Sequence, residues 1–183
     1  MEVFSRRKVQ RYLAYFFAWT VFGFFNFSRE LTRRLYWHEA THWQETLVSW
    51  MVGVYLTAAL TPVVLWLGRR WPIERQIWRR RVPMHLALSA VFSAVELALE
   101  TVAFIQLHLV ESVTKHSFMV GFPVLLVTGF HENIITYWGI LGIQSGFRYY
   151  RGFREREMHA SELKAQLVKA QLSALKIDRK SVV

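Results

Sequence analysis

An apolar stretch that passes directly into a heptad pattern is the feature that most limits how this chain can fold. Phe118–Phe147 is predominantly apolar and is followed at once by an arginine-rich stretch that ends at Arg156. Glu157–Ile177 contains no proline or glycine, and apolar residues recur there in alternating steps of three and four, which indicates a coiled-coil seam. The seam residues are Ala160, Leu163, Leu167, Ala170, Ala174 and Ile177, and a second stripe of Val168, Leu172 and Leu175 widens the apolar face. The second stripe extends beyond a two-helix seam, and a helix with such a face cannot bury it alone, so the pattern predicts partner helices. We expect the chain to form a homodimer.

Three further apolar stretches precede this one and are separated from one another by charged segments. The four stretches are Tyr12–Phe27, Trp43–Leu67, Met84–Val110 and Phe118–Phe147. A helix that crosses the hydrocarbon core of a bilayer needs about 20 apolar residues, and the first stretch is the shortest of the four. We therefore predict an all-α protein in a lipid bilayer. A four-helix transmembrane bundle occupies residues 1–150, and its last span continues into a cytoplasmic coiled-coil helix over residues 151–177.

The distribution of arginine orients these predicted spans. The chain carries a net charge of +10, and the arginines crowd into the amino terminus, Gly68–Pro83 and the tail after Phe147. The positive-inside rule places these segments in the cytoplasm, which leaves the polar loops Ser28–His42 and Glu111–Ser117 outside. Both termini are then cytoplasmic. Because topology accounts for the positive charge, we expect no direct nucleic-acid partner.

Several short sequence motifs, taken in order, resemble the LytS-like sensor histidine kinases. They match the membrane module of that family and the junction between its last membrane helix and the helix that follows. They are Leu60-Thr61-Pro62, Arg69-Arg70-Trp71-Pro72, His85-Leu86, Tyr137-Trp138, Arg148-Tyr149-Tyr150 and Glu162-Leu163-Lys164-Ala165-Gln166-Leu167. The resemblance covers most of the chain from about Trp50 to Lys176. It implies the sensory half of a bacterial two-component system in the inner membrane.

The same resemblance implies what the full-length kinase would do. It would use ATP and magnesium to phosphorylate its own histidine and would pass the phosphoryl group to a response regulator, often of the LytTR type. The phosphoacceptor sequence Gln-Leu-Asn-Pro-His-Phe and the ATP-binding domain do not occur in this chain, so we expect no catalytic residue and no cofactor here. We expect Asp178–Val183 to be a non-native tail, because these residues match a sequencing adapter read in one frame, and we expect the natural gene to continue into a kinase core.

Ionisable residues within the predicted spans form a candidate sensory cluster. Glu96 and Glu100 lie one helical turn apart on the third span, and His131, Glu132 and Asn133 lie well inside the fourth. A charge at such depth costs about 2.5–3.5 kcal/mol on insertion scales, so these groups should face the bundle and find partners. We expect Glu96 or Glu100 to pair with His131, and the cluster acts either as a sensor or as packing between helices. His85 and His108, near the ends of the third span, are expected to be interfacial.

A zinc-protease motif offers an alternative function. His38-Glu39-Ala40-Thr41-His42 fits the H-E-x-x-H pattern, in which two histidines one turn apart hold zinc and the glutamate serves as general base. A catalytic zinc needs a third protein ligand, and no such partner pattern follows, so His38 and His42 are weak metal candidates. The absence of cysteine excludes thiolate ligands. A small transporter or a structural membrane protein remains a further alternative.

Overall fold

All the regular secondary structure described in the computed structural model is α-helical. The structure describes residues 2–39, 42–74, 76–110 and 117–181, with side chains described for residues 8–39, 42–74, 76–110 and 117–169. The helices are α1 (Glu2–Tyr36), α2 (Trp43–Arg70), α3 (Trp78–Gln106) and α4 (Phe118–Ser181). No strand occurs among these residues, and the predicted all-α class is confirmed.

Three of the helical segments are long and apolar enough to cross a membrane: α2, α3 and residues Phe118–Lys169 of α4. Among the described residues, α1 is not long and apolar enough to meet the same criterion. Its apolar stretch, Tyr12–Phe27, is shorter than α2 and is flanked by arginines on both sides within one helix. The structure therefore has the character of a membrane protein with three membrane-length helices.

The first helix packs along the second in the antiparallel direction. The hydroxyl of Tyr15 donates a 2.6 Å hydrogen bond to the carbonyl oxygen of Ala58. Further along α1, a Cβ added at Gly23 would lie 2.9 Å from the Sδ atom of Met51, so the absence of a side chain at Gly23 permits this approach. Position increases along α1 as it decreases along α2, which defines the antiparallel contact.

The end of α1 departs from the sequence prediction. Ser28–His42 was expected to be a polar loop, but α1 continues to Tyr36. Glu30 accepts hydrogen bonds of 2.8 Å from both Arg33 and Arg34, one turn further along the same helix. The hydrogen bond from Arg33 lowers the pKa of Glu30 from its ordinary value, against the effect of partial burial, which raises it. These local ion pairs explain why a polar sequence remains helical here.

The apolar core lies where α2, α3 and α4 meet. Its buried members are Val64 of α2, Phe92 of α3, and Tyr137 and Leu141 of α4. The Phe92 and Tyr137 rings pack with their centroids 5.6 Å apart.

A glycine of α4 lies against a buried leucine of α3. A Cβ added at Gly129 of α4 would lie 2.8 Å from the Cδ2 atom of Leu97. Leu97 is almost fully buried. The missing side chain at Gly129 is therefore part of the fit between these two helices.

The contacts divide the chain into two compact units, Met1–Leu141 and Gly142–Val183. The second unit is helical through Ser181, so the helix predicted for Glu157–Ile177 is confirmed. Leu163 and Leu167 of the predicted seam are 64% and 59% exposed, as expected of a seam with nothing packed on it. The side chains of Ala170, Ala174 and Ile177 lie outside the described residues, as do those of the proposed tail, Asp178–Val183.

Candidate functional site: a polar face between the membrane-length helices

The two acidic residues of α3 lie opposite two small residues of α2. Thr57 and Gly53, one turn apart on α2, face Glu96 and Glu100, one turn apart on α3. The Thr57 hydroxyl is placed to donate to Oε1 of Glu96, and a Cβ added at Gly53 would lie 2.8 Å from Oε1 of Glu100. Residues four apart share a helix face, so the two pairs form one continuous contact.

Burial makes Glu96 unusual. Only 2% of Glu96 is exposed, and its Oε2 atom has no hydrogen-bond partner among the described residues. The Thr57 hydroxyl that approaches Oε1 also lies 3.0 Å from the carbonyl oxygen of Gly53. Glu100 is partly buried and lies one turn from Glu96 on the same helix.

The fourth helix contributes Glu132, which pairs with α1. The Nη2 atom of Arg29 donates a 2.8 Å hydrogen bond to Oε1 of Glu132, and about half of each side chain is exposed. The Arg29 guanidinium also lies 5.8 Å from the centre of the Trp50 ring on α2. Arg29 therefore connects α1 to α2 and α4 at the edge of the acidic face.

The expected pairing of His131 with Glu96 or Glu100 is not found. His131 is exposed, and its ring lies edge-on to Phe130 with centroids 6.0 Å apart. Adjacent residues of a helix point about 100° apart, which explains why His131 and Glu132 have different surroundings. Asn133 is partly buried, and its Nδ2 atom has no hydrogen-bond partner among the described residues.

His85 is the polar residue that sequence reasoning placed wrongly. It was expected at the membrane interface, yet it is 0% exposed. Its Nδ1 atom lies 2.8 Å from the Tyr137 hydroxyl, and its Nε2 atom lies 2.8 Å from the carbonyl oxygen of Trp71. A carbonyl oxygen only accepts, so Nε2 carries hydrogen, and in the neutral ring Nδ1 accepts from Tyr137. We call His85, Tyr137 and the Trp71 carbonyl the His85 network.

A sequence signal for the burial of His85 does exist. Four polar residues follow one another along α3 in steps of four, four and three, which places them on one face of the helix. All four are at most 2% exposed: His85, Ser89, Ser93 and Glu96. Ser93 donates a 3.2 Å hydrogen bond to the carbonyl oxygen of Phe130, so this polar face contacts α4 between the His85 network and the acidic pair. By contrast, His108 is exposed just beyond α3.

The H-E-x-x-H motif does not form a zinc-protease helix. His38 lies in the turn after α1 with a φ of 52°, and His42 is the residue that precedes α2. Glu39 is engaged by the Nη1 atom of Arg33 at 3.2 Å. Ala40 and Thr41 lie outside the described residues. Throughout the part of the chain that the structure describes, no group of three His, Cys, Asp or Glu residues is placed to hold a metal ion.

Comparison with known proteins identifies no relative. No protein-family model matches the chain, and neither the curated proteins nor the solved structures give a match.

Proposed function

We propose that this chain is the membrane input part of a signalling protein whose output region follows α4. The observation that carries this proposal is that α4 supplies Tyr137 to the His85 network and then continues as one helix to Ser181. A change that moves α4 at Tyr137 acts on the same helix that carries the apolar seam. The seam is exposed at Leu163 and Leu167, which is a reason to expect a partner helix.

The proposed output region is a LytS-like histidine kinase core. Two observations support it: the sequence resemblance, and the contact in the structure between residues of three of the motifs that carry this resemblance. The three residues of the His85 network come from three separate motifs; they are Trp71, His85 and Tyr137. The complete kinase would form a homodimer, use ATP and magnesium, and transfer the phosphoryl group to a response regulator of the LytTR type.

The proposed setting is the bacterial inner membrane, with α1 as a fourth span and both termini cytoplasmic. Two features support a place for α1 beside the other helices. It packs antiparallel along α2 through Tyr15 and Gly23, and it reaches α4 through Arg29 and Glu132. The arginine-rich segments fall on one side only if α1 also crosses the bilayer.

The proposed relay is mechanical. The His85 network joins α3, α4 and the segment after α2 by two hydrogen bonds of 2.8 Å. A stimulus that changes the packing of α3 therefore alters the position of α4. Within a helix a displacement or rotation is passed to the following turns, because successive backbone hydrogen bonds fix them relative to one another.

A fusion protein tests this function. Residues 1–177 are joined in heptad register to the kinase core of a LytS-like protein, and autophosphorylation from ATP is measured in proteoliposomes. We expect Tyr137→Phe to change the rate by at least about threefold, because it removes the hydroxyl that joins α4 to His85. The matched control is Tyr149→Phe on the same helix, since Tyr149 is 77% exposed. Equal rates for the parent fusion and both variants would mean that α4 carries no input.

A further inference from the structure

We propose that Glu96 and Glu100 form a proton-binding site inside the membrane part, with Glu96 carrying the bound proton in its closed state. This proposal names the stimulus for the input function described above. Only the effect of the proton on an output region rests on that proposed function. Proton binding itself follows from the contact between α2 and α3. Three features of this contact support it: the hydrogens available at Thr57, the charges that face the site and the fit at Gly53.

The first step is a count of hydrogens. The Thr57 hydroxyl lies within hydrogen-bonding distance of two oxygen atoms, the Gly53 carbonyl and Oε1 of Glu96. A hydroxyl has one hydrogen to donate. If Glu96 is ionised, the hydroxyl donates to Oε1, and the Gly53 carbonyl keeps only its backbone hydrogen bond within the helix. If Glu96 carries a proton on Oε1, it donates to Thr57 Oγ1 while Thr57 donates to Gly53, so both contacts of the hydroxyl hold a hydrogen.

The second oxygen of Glu96 leads to the same assignment. Oε2 is buried with no hydrogen-bond partner in the described part of the chain, and a buried acceptor that lacks a donor has a desolvation cost that is larger when the group is charged. The neutral acid leaves a carbonyl oxygen at this position, whereas the ionised form leaves part of a full charge there. Protonation therefore lowers the cost of placing Glu96 where it lies.

Among the residues that the structure describes, the charges around the site do not compensate an ionised Glu96. On α2 the facing residues are Gly53 and Thr57, which carry no charge. From α1 the nearby cation is Arg29, and it is engaged by Glu132 of α4 at 2.8 Å. On α3 itself the neighbour is Glu100, a second acid.

Glu100 gives the proton a second position. Its Oε1 atom fills the space left by the missing side chain of Gly53, and it is one turn from Glu96. Two carboxyl groups that interact titrate as a pair, so the proton belongs to the site and not to a single residue. Loss of the proton leaves two negative charges beside Gly53 and Thr57, and the contact between α2 and α3 must then open or admit water. Ser93 lies one turn from Glu96 and hydrogen-bonds to α4, which connects this change to the proposed relay.

The test is covalent labelling of the full chain in proteoliposomes by dicyclohexylcarbodiimide, an apolar reagent that reacts with carboxyl groups that carry a proton. Labelled residues are located by mass spectrometry between about pH 5 and about pH 9. We expect labelling at Glu96 or Glu100 that falls by up to about tenfold per pH unit once the pair titrates. Glu96→Gln should remove most of it. The control, Glu132→Gln, removes a carboxyl of the neighbouring helix and should leave labelling of the pair in place.

Two results would overturn the proposal. The first is an absence of label on both Glu96 and Glu100 at every pH while the reagent still modifies other carboxyl groups. The second is protection by sodium at constant pH, which would assign the site to a metal cation. Because the pH series uses the unaltered chain, a failure of Glu96→Gln to fold does not affect it. If labelling behaves as expected but neither pH nor Tyr137→Phe alters the kinase fusion, the proton site stands and the proposed input function fails. If labelling is absent but Tyr137→Phe alters the autophosphorylation rate of the fusion, the proposed input function stands and the proton site fails.

Discussion

The Nδ1 atom of His85 lies 2.8 Å from the hydroxyl oxygen of Tyr137, in a place where neither residue is exposed. The two residues are 52 positions apart in the chain, and the carbonyl oxygen that completes the network comes from Trp71, 14 positions before His85. Polar groups buried this completely are stabilising only when each is hydrogen-bonded. The network therefore fixes α3 and α4 relative to each other with more directional precision than the apolar core around it.

Loss of the Tyr137 hydroxyl should destabilise the folded chain. Tyr137→Phe leaves Nδ1 of His85 buried without a partner, which costs about 1–3 kcal/mol. We expect a lower midpoint of thermal unfolding for the purified protein in detergent. Tyr149→Phe, at a position that is 77% exposed, should unfold with the parent chain. Equal midpoints for Tyr137→Phe and the parent would show that the hydrogen bond contributes nothing to stability.

Substitution by alanine should affect thermal stability differently at two glycines of α4, Gly129 and Gly139. Gly129→Ala places a Cβ 2.8 Å from Leu97, whereas a Cβ at Gly139 meets nothing within 4 Å. Alanine is favoured over glycine in a helix by about 1 kcal/mol, so Gly139→Ala should be neutral or stabilising. Gly129→Ala should lose that gain to the clash with Leu97 and unfold at a lower temperature than Gly139→Ala. The same gain at both positions would mean that α3 and α4 do not approach each other as the structure shows.

Protonation of Glu30 should weaken the end of α1. The pKa of Glu30 is lowered from the ordinary value of 4.5 by its hydrogen bond from Arg33. A carboxyl group with a depressed folded-state pKa contributes stability above its unfolded-state pKa and loses that contribution as the pH falls through the folded-state pKa. Glu30→Gln should therefore destabilise the protein near neutral pH, by less than about 1 kcal/mol because Arg33 is half exposed. The difference from the parent should shrink below about pH 4.5, and a difference independent of pH would contradict this account.

Reporter fusions test the proposed four-span topology. We expect cytoplasmic signals from reporters placed after Arg11, within Arg75–Arg80 and after Arg151, and external signals from Trp37–His42 and Glu111–Ser117. The first external reporter is placed after Tyr36 because α1 extends that far, and an insertion before it would interrupt the helix. Cytoplasmic signals from both external sites would reject the four-span arrangement.

The register of the helix after Gly152 should determine the output. In the kinase fusion, one residue inserted between Gly152 and Leu163 turns everything beyond it by about 100°. An insertion of seven residues restores the face to within about 20°. We expect the single insertion to hold autophosphorylation at a fixed high or low rate and the seven-residue insertion to retain regulation. If both fusions behave as the parent does, the segment is a tether and the mechanical relay is wrong.

The sequence predicts the features that depend on periodicity and length. The all-α class, the helix over Glu157–Ile177 and the shared face of Glu96 and Glu100 all follow from the spacing of apolar and charged residues. The extension of α1 to Tyr36 was missed because the polar composition of residues 28–36 was read as a loop. The pairs of Glu30 with Arg33 and Arg34, at helical spacing, were the signal against that reading.

The partners of the buried groups could not be predicted in the same way. They depend on how each helix is rotated about its axis and on which helix lies beside it. Periodicity places His131 and Glu132 at the same depth, but only the packed structure shows His131 exposed and Glu132 paired with Arg29. His85 was assigned by its distance from the end of a span, whereas its position on the same face as Ser89, Ser93 and Glu96 was the better guide.

The acceptor that Trp71 gives to His85 is a backbone carbonyl. Every amino acid supplies that atom, so replacing the Trp71 side chain leaves the acceptor itself in place. A saturation mutagenesis screen of the kinase fusion for loss of the proposed relay would therefore identify His85 and Tyr137 directly. It would register Trp71 only through substitutions that move the main chain, and a map of the relay drawn from side-chain changes would lack one of its three members.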